Sequence, residues 1–355
     1  MITICFTTRN RDLQIVSNCL RSLAKQSDQD FECFLVDYGS EDSYLQELKR
    51  LVEQFSFIQF ISCPTKGQLW SKCRALNIAL KRATQPFFVV GDIDLIFHPQ
   101  YIQKIKTFAK PHEVAYFQYG YLNQKNTKPD LDFETAEVSF KGNEEATGNA
   151  MFPKDKLLAI NGFDEYYHGW GAEDTDVQMR MQHTGLTLNF VTQELLVKHQ
   201  WHPKAYRSKE STQPFHSLLE RINQAYLMQT MHTKRTQVNQ GKEWGVMTNN
   251  EAYQQLQTPS IQLKSTNSQL QFHALLCQMK NLKNEVVQLN IEEISTKEVI
   301  KNQLKKIMGK KYLPVHHMEM LNNLLLEEII KNYSNCPYEY QFNRATKKIQ
   351  LRIKL

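Results

Sequence analysis

The first hundred residues of this 355-residue chain alternate short apolar runs with amphipathic stretches. Runs at 2–6, 31–36, 57–61 and 86–90 read as strands, and apolar positions at helical spacing fill 11–26, 43–54 and 70–82 between them. A series of this kind predicts a mostly parallel sheet covered by helices. In such sheets the chemistry gathers at the carboxyl ends of the strands. There the chain places Thr7-Thr8-Arg9-Asn10, Asp37-Tyr38-Gly39-Ser40, Pro64-Thr65-Lys66-Gly67 and Gly91-Asp92-Ile93-Asp94, all polar or glycine-bearing.

From about 112 to 200 the pattern shortens: strands at 114–120, 136–140, 147–152 and 187–191, with helices near 153–160 and 174–184. A further helical pattern covers 215–232, and Gly241 and Gly245 end it, which sets a boundary near 250. Beyond lie a Gln/Asn/Ser/Thr-rich bridge (249–268), helical patterns at 269–290, 296–308 and 315–332, and two strand-like runs, 338–342 and 348–353, that read as a hairpin. The expected organisation is a domain over 1–247 in two halves (1–110 and 111–247), followed by a small α+β module at 250–355.

Composition adds little to the fold but bounds the setting. With 41% hydrophobic and 23% charged residues the chain is in the ordinary globular range. The seven cysteines follow no CxxC spacing and several stand in apolar runs, which favours buried reduced thiols over disulfides or zinc. The opening residues read as a strand rather than a signal peptide, and no long apolar run spans a membrane, so a cytoplasmic location is expected. The net charge of +6 sits at the far end, where 301–355 hold eleven Lys or Arg against four Asp or Glu. A solvated basic face is the plain reading; peripheral contact with anionic lipid at the inner membrane face, or with a partner, is the other, and nucleic acid is not expected.

Three motifs carry candidate chemistry. In Phe87-Phe88-Val89-Val90-Gly91-Asp92-Ile93-Asp94 an apolar strand ends in two carboxylates, a costly arrangement unless a cation compensates it, and Asp oxygens suit Mn2+ or Mg2+. A solvated turn is the alternative, and the position after the fourth strand favours the metal. In Gly169-Trp170-Gly171-Ala172-Glu173-Asp174 glycines let the backbone bend around one large ring, a shape that suits the face of a sugar. Glu173 and Asp174 open a helix whose dipole favours their ionised form, as a general base requires; helix capping is the alternative. In His199-Gln200-Trp201-His202 two imidazoles fall three residues apart, and either could complete a metal site, His202 ahead of His199. Asp37 could accept from a uracil ring or ribose, while Arg9, Lys66, Lys72 and Arg74 could meet phosphate charge. No GxxxxGK[ST], GxGxxG after the first strand, GxSxG or HExxH is present, so the hydrolase and dehydrogenase readings lose their support.

These residues resemble the bacterial family 2 glycosyltransferases of the GT-A fold, and the second half is similar to the C-terminal domain of β-1,4-galactosyltransferases, with relatives among chondroitin polymerases and polypeptide N-acetylgalactosaminyltransferases. The likeness covers about 1–247, and it implies a nucleotide-sugar-binding half (1–110) and an acceptor-binding half (111–247). It is carried by Thr147-Gly148-Asn149-Ala150-Met151, Asn161-Gly162-Phe163-Asp164-Glu165, the Gly169–Asp176 run and Arg180. It implies a Rossmann-like α/β fold and a UDP-sugar donor, with Gal or GalNAc favoured, and Mn2+ or Mg2+ at Asp94 with His202 or His199. Thr7, Arg9, Asp37, Asp92 and Gly148 would line the donor pocket. Asp174 would be the base, and Glu173, Trp170 and Gly171 would hold a glycan or other acceptor. Inversion is expected; a retaining transferase or a catalytically idle sugar-binding scaffold are the rivals. A third histidine after His202 is lacking, so the ligand set is open, and residues 250–355 inherit no role.

Overall fold

A computed structural model describes residues 2–144, 148–203, 219–247 and 250–355. The described residues form two compact units: 2–63, 70–203 and 223–247 in the first, and 64–69, the described part of 205–222 and 250–355 in the second.

The first unit opens as the alternation predicts, with β1 (Ile2–Thr8), α1 (Leu13–Ala24), β2 (Glu32–Tyr38), α2 (Asp42–Val52), β3 (Ile58–Cys63), α3 (Lys72–Leu80) and β4 (Phe87–Asp92). Then follow β5 (Leu95–Phe97), α4 (Tyr101–Lys106), β6 (Glu113–Phe117), β7 (Tyr119–Tyr121), β8 (Phe140–Lys141), β9 (Ala150–Pro153), α5 (Lys154–Ala159), α6 (Glu173–His183), β10 (Thr187–Val191), β11 (Val197–His199) and α7 (Leu219–Thr233). Seven strands make the main sheet in the order β10-β6-β9-β4-β1-β2-β3. All neighbours are parallel except β9, which runs antiparallel between β4 and β6. The class is therefore α/β.

Period-two alternation builds a core on each face. Ile2, Ile4 and Phe6 of β1 enter one cluster with Val16, Leu20 and Leu23 of α1, and Cys5 enters the other with Leu76 and Ile78 of α3. Each fully buried aliphatic or aromatic side chain contributes about 1.5–3 kcal/mol, so the sheet register is firmly set. All seven cysteines are free thiols, five of them buried.

The expected strand 114–120 is two. β6 stays in the main sheet while β7 joins a second sheet, β5-β11-β7-β8, because the chain leaves one ladder for the other at Gln118. The expected strand 136–140 reduces to β8 at Phe140–Lys141. Thr147 and residues 215–218 of the expected elements lie outside the described residues.

In the second unit come α8 (Asn250–Gln254), β12 (Ile261–Thr266), α9 (Gln269–Asn281), β13 (Val286–Glu292), α10 (Thr296–Ile307), α11 (Met318–Asn332), β14 (Tyr338–Asn343) and β15 (Lys348–Lys354). The hairpin forms as expected, β14 against β15, within a sheet ordered β12-β13-β15-β14. Two strands escaped the sequence reading. The helix expected over 269–290 stops at Asn281, Asn284 takes a left-handed φ of 60°, and Val286–Glu292 continues as a strand with inward Val287, Leu289 and Ile291. The polar bridge likewise contains β12. Loop 64–69 belongs to this unit: the Gly67 carbonyl accepts from the Tyr340 N–H at 3.0 Å and the Tyr338 hydroxyl from the Leu69 N–H at 3.0 Å. Among the described residues no helix is long and apolar enough to cross a membrane.

Candidate active site

The register of the main sheet lines up its carboxyl ends. Thr7 lies opposite Asp92 and Thr8 opposite Asp37, so the ends of β1, β2 and β4 meet where the strand order reverses. The two loops flanking this crevice are stitched together. The Ser40 hydroxyl donates to Asp37 and accepts from the Asn10 N–H at 2.8 Å, and the Asn10 side chain accepts from the Glu41 N–H at 2.9 Å. Burial raises the Asp37 carboxyl, with the Ser40 bonds pulling it partly back.

Three residues beyond Asp92 the chain enters β5, which pairs antiparallel with β11 so that His199 lies opposite Leu95. The Gln200 N–H donates to the Asp94 carbonyl at 2.9 Å, and the buried Gln200 amide is held by Asn18 and by the Ile15 carbonyl. His202 follows. Its Nε2 lies 3.1 Å from Asp94 Oδ2, His199 Nε2 lies 3.5 Å from Oδ1, and the Arg11 guanidinium lies 3.4 Å from Oδ2. Burial alone would raise the Asp94 carboxyl, but His199, His202 and Arg11 outweigh it and hold it below the usual carboxylate range. One carboxylate oxygen and two imidazole nitrogens fall within 4.8 Å of one another. Oδ1 is buried without a hydrogen-bond partner. An orphaned anionic oxygen beside His199, with His202 on the other oxygen of the same carboxylate, makes a donor set that could hold a divalent cation. Both histidines of the sequence reading are thus brought to Asp94.

Asp92 points elsewhere. Its Oδ2 accepts from the Tyr119 hydroxyl at 2.9 Å, and its Oδ1 lies 3.1 Å from Lys72 Nζ. Lys72 also reaches Asp174, at 3.4 Å and 3.5 Å from its two carboxylate oxygens. Lys72 thereby bridges the acid that ends β4 and the acid that opens α6. Burial would lower the lysine, but Asp174, Asp92 and Glu173 outweigh it and keep it charged. Gly148 makes room for this cluster, since a Cβ there would stand 2.5 Å from Asp92 Oδ2 and 2.7 Å from the Tyr119 hydroxyl.

The helix dipole does not win at the start of α6, contrary to the expectation of two ready-ionised acids. Burial and the neighbouring Asp174 raise Glu173 to about 7. Burial and Asp92 raise Asp174 as well, against the pull of Lys72. Crowding three carboxylates around one ammonium in a partly buried site outweighs a dipole worth roughly 1 kcal/mol.

Upstream of α6, the Gly169-Trp170-Gly171 turn needs its glycines. Gly169 and Gly171 have φ of 75° and 98°, and Ala172 takes the left-handed region too, at 73°. The Asn223 amide of α7 holds the turn by donating to the carbonyls of His168, Trp170 and Gly171. Trp170 remains 51% exposed, a large ring presented to solvent. Behind it lies a buried polar frame. Asp176 and Arg180 pair at 2.6 Å with neither side chain exposed, and Asp176 also accepts from Tyr167 and Thr230. Asp164 accepts from Tyr226 and pairs with Arg235.

One of the expected donor-side cations is engaged in the interior. Arg74 is buried against Glu165 at 2.9 Å, in a network with Asn77 and the Gly245 N–H. It faces the interior because α3 is buried on every side from Cys73 to Leu80. Lys66 lies on loop 64–69, in the other unit. Thr7 and Asp37 stand at the crevice, with Arg9 on the loop after β1. The sequence reading missed Tyr119, Arg11 and Asn223, and it noted Lys72 without its bridging geometry. No local motif marks them.

A family model described as glycosyl transferase family 2 matches residues 3–158, and one described as the N-terminal domain of galactosyltransferase matches residues 127–202. Chondroitin sulfate synthase 3 of Mus musculus is 24% identical over 183 residues, covering 48% of this chain and 20% of that protein. Beta-1,4-galactosyltransferase 1 of Mus musculus is 28% identical over 127 residues, covering 34% and 27%. The chain therefore spans a fifth to about a quarter of these relatives' lengths. Among solved structures, TarS of S. aureus in complex with UDP aligns at 20% identity over 57% of this chain and 61% of that one, with a TM-score of 0.45. The two family matches overlap and together run over 3–202, so over this stretch the chain is similar to glycosyltransferases, with a family 2 match continued by a galactosyltransferase-type one.

Proposed function

We propose that this chain transfers a hexose or N-acetylhexosamine, galactose or N-acetylgalactosamine foremost, from a UDP-sugar to a hydroxyl of a glycan or related acceptor, with inversion and with a divalent cation. The observation that carries the reading is the meeting of Asp94 with His199 and His202 beside the Asp92–Lys72–Asp174 bridge. The sugar preference rests on the likeness to the galactosyltransferases.

Mn2+ held by Asp94, His202 and His199 would supply positive charge to a leaving diphosphate. Thr7, Arg9 and Asp37 line the nucleotide side, with Asp92 between nucleotide and sugar. On the other side Trp170 stacks on the acceptor, Glu173 hydrogen-bonds it, and Gly171 lets it approach the backbone. Asp174 takes the proton of the acceptor hydroxyl as its oxygen forms the new bond to the anomeric carbon, and the bond from that carbon to the diphosphate breaks. Lys72 neutralises Asp174 enough for it to be an anion, and it spans the line between donor and acceptor. Arg74 supports this wall from behind through Glu165.

The test is a panel of nucleotide sugars assayed for nucleoside diphosphate release with Mn2+, Mg2+ or EDTA, with the product anomer determined. Release with a UDP-hexose, dependent on metal and abolished in Asp94→Ala and Asp174→Asn, is expected. Turnover in EDTA, or full activity in either variant, would sink the mechanism.

A further inference from the structure

Helix α10 has its polarity reversed. It is well made locally, with a capping box between Ser295 and Glu298, yet none of its residues is buried. Ile300, Leu304 and Ile307 recur at the i, i+4, i+7 spacing of one helical stripe and are 53%, 53% and 82% exposed, and Met308 extends the stripe at 55%. The positions partly covered by the rest of the unit are Val299, Asn302 and Lys305, on the opposite side of the helix. Asn302 fixes that orientation, because its side chain both donates to and accepts from the Leu313 backbone at 3.2 Å. The aliphatic stripe therefore faces outward.

Charge identifies what the stripe fits. From 296 to 311 the chain carries six lysines (297, 301, 305, 306, 310 and 311) and one acid, Glu298. Lys297 and Lys301 border one edge of the stripe, and Lys310 and Lys311 continue past its end, followed by the exposed Tyr312 and Leu313. Lysine stems can lie along an apolar surface while their ammonium groups reach an anionic one. A second copy of the chain would set lysines against lysines, and a nucleic acid would find aliphatic side chains where stacking rings are needed.

We propose that α10, with the Lys310–Leu313 segment after it, docks on an anionic lipid bilayer. The helix lies in the plane of the interface, with Ile300, Leu304, Ile307 and Met308 below the headgroups and Lys297, Lys301, Lys310 and Lys311 among them. This narrows the earlier choice for the basic tail to one element, and it stands independently of the transferase reading because its readout is binding.

Flotation of the full chain with vesicles of phosphatidylcholine alone, or mixed with phosphatidylglycerol, tests it at low and high salt. Binding to the mixed vesicles at low salt and little to the neutral ones is expected. Leu304→Gln with Ile307→Gln should weaken it by roughly a hundredfold, and Lys297→Gln with Lys301→Gln by about fivefold per lysine. Salt should erase the second difference but leave the first. All four side chains are at the surface, and matching circular dichroism would confirm that the variants fold. Equal binding to both vesicle types, no flotation with either, or wild-type binding by the stripe variant would overturn the proposal. Concentration-dependent dimerisation without vesicle binding would assign the stripe to a second copy and overturn it too.

Discussion

Replacing Glu173 by Gln should make the first unit markedly more stable at pH 8 and only slightly more stable at pH 5. Glu173 is raised from 4.5 to about 7 by burial and by Asp174. An acid whose native pKa exceeds its unfolded value binds more protons folded than unfolded. Its stabilising contribution is complete below about pH 4.5 and is lost as pH rises through about 7. At about 1.4 kcal/mol per pH unit the rise is worth about 3 kcal/mol by pH 8. The side chain is partly exposed and shares its titration with Asp174, which brings the expected gain of the isosteric neutral variant to about 2 kcal/mol. That corresponds to a melting shift of roughly 4–8 °C. All four tryptophans, Trp70, Trp170, Trp201 and Trp244, lie in the first unit, so tryptophan fluorescence follows its urea transition without interference from the other. The measurement is made in EDTA at pH 5 and pH 8. A gain of the same size at both values, or a loss at pH 8, would refute the charge-crowding account of this site. Activity should move the other way, because a neutral Gln accepts a weaker hydrogen bond from a sugar hydroxyl, and stability gained at the expense of turnover is what a strained functional site produces.

Three further outcomes follow from the same geometry. Lys72→Met leaves Asp92 and Asp174 facing each other without their shared cation; it should cost about 3 kcal/mol at pH 8, less at pH 5, and move the acidic limb of kcat/KM to higher pH, and an unmoved limb would remove Lys72 from the base's surroundings. Mn2+ at about a hundredfold above its Kd should stabilise the wild-type first unit by about 2.7 kcal/mol, and the gain should vanish in Asp94→Ala; a gain retained in that variant would place the cation elsewhere. Arg180→Met strands the buried Asp176 carboxylate and should cost about 3–5 kcal/mol in urea unfolding, with much of it recovered in the double variant with Asp176→Asn; no recovery would mean the loss is one of packing.

How much of this was legible in the sequence depends on how far apart the partners are along the chain. Strand–helix alternation exposed the sheet because β1, β2 and β3 pair with near neighbours, and the Asp92–Asp94 motif was visible because a strand end and its acids are contiguous. The candidate ligands His199 and His202 were visible as a short motif, and the pairing of β11 with β5 brings them to Asp94. The start of α6 was misjudged for a complementary reason. A helix dipole can be read locally, but what defeats it is burial together with the charge of Asp92, brought in from the end of a distant strand, and Lys72 only partly offsets that crowding. Arg74 shows the same limit. A cation before a strand that ends in two acids invites a phosphate, and nothing near it in sequence reveals that Glu165, 91 residues on, already occupies its guanidinium. In the second unit β13 was absorbed into a helix because its apolar positions follow closely on those of α9; only the left-handed Asn284 separates the two periods. Helix α10 is the instructive opposite. Its amphipathic pattern was read correctly as a helix, and the same pattern would ordinarily place Ile300, Leu304 and Ile307 in a core. Periodicity fixes which residues share a face and leaves open what that face meets, so an exposed aliphatic stripe bordered by lysines points to a surface outside the chain.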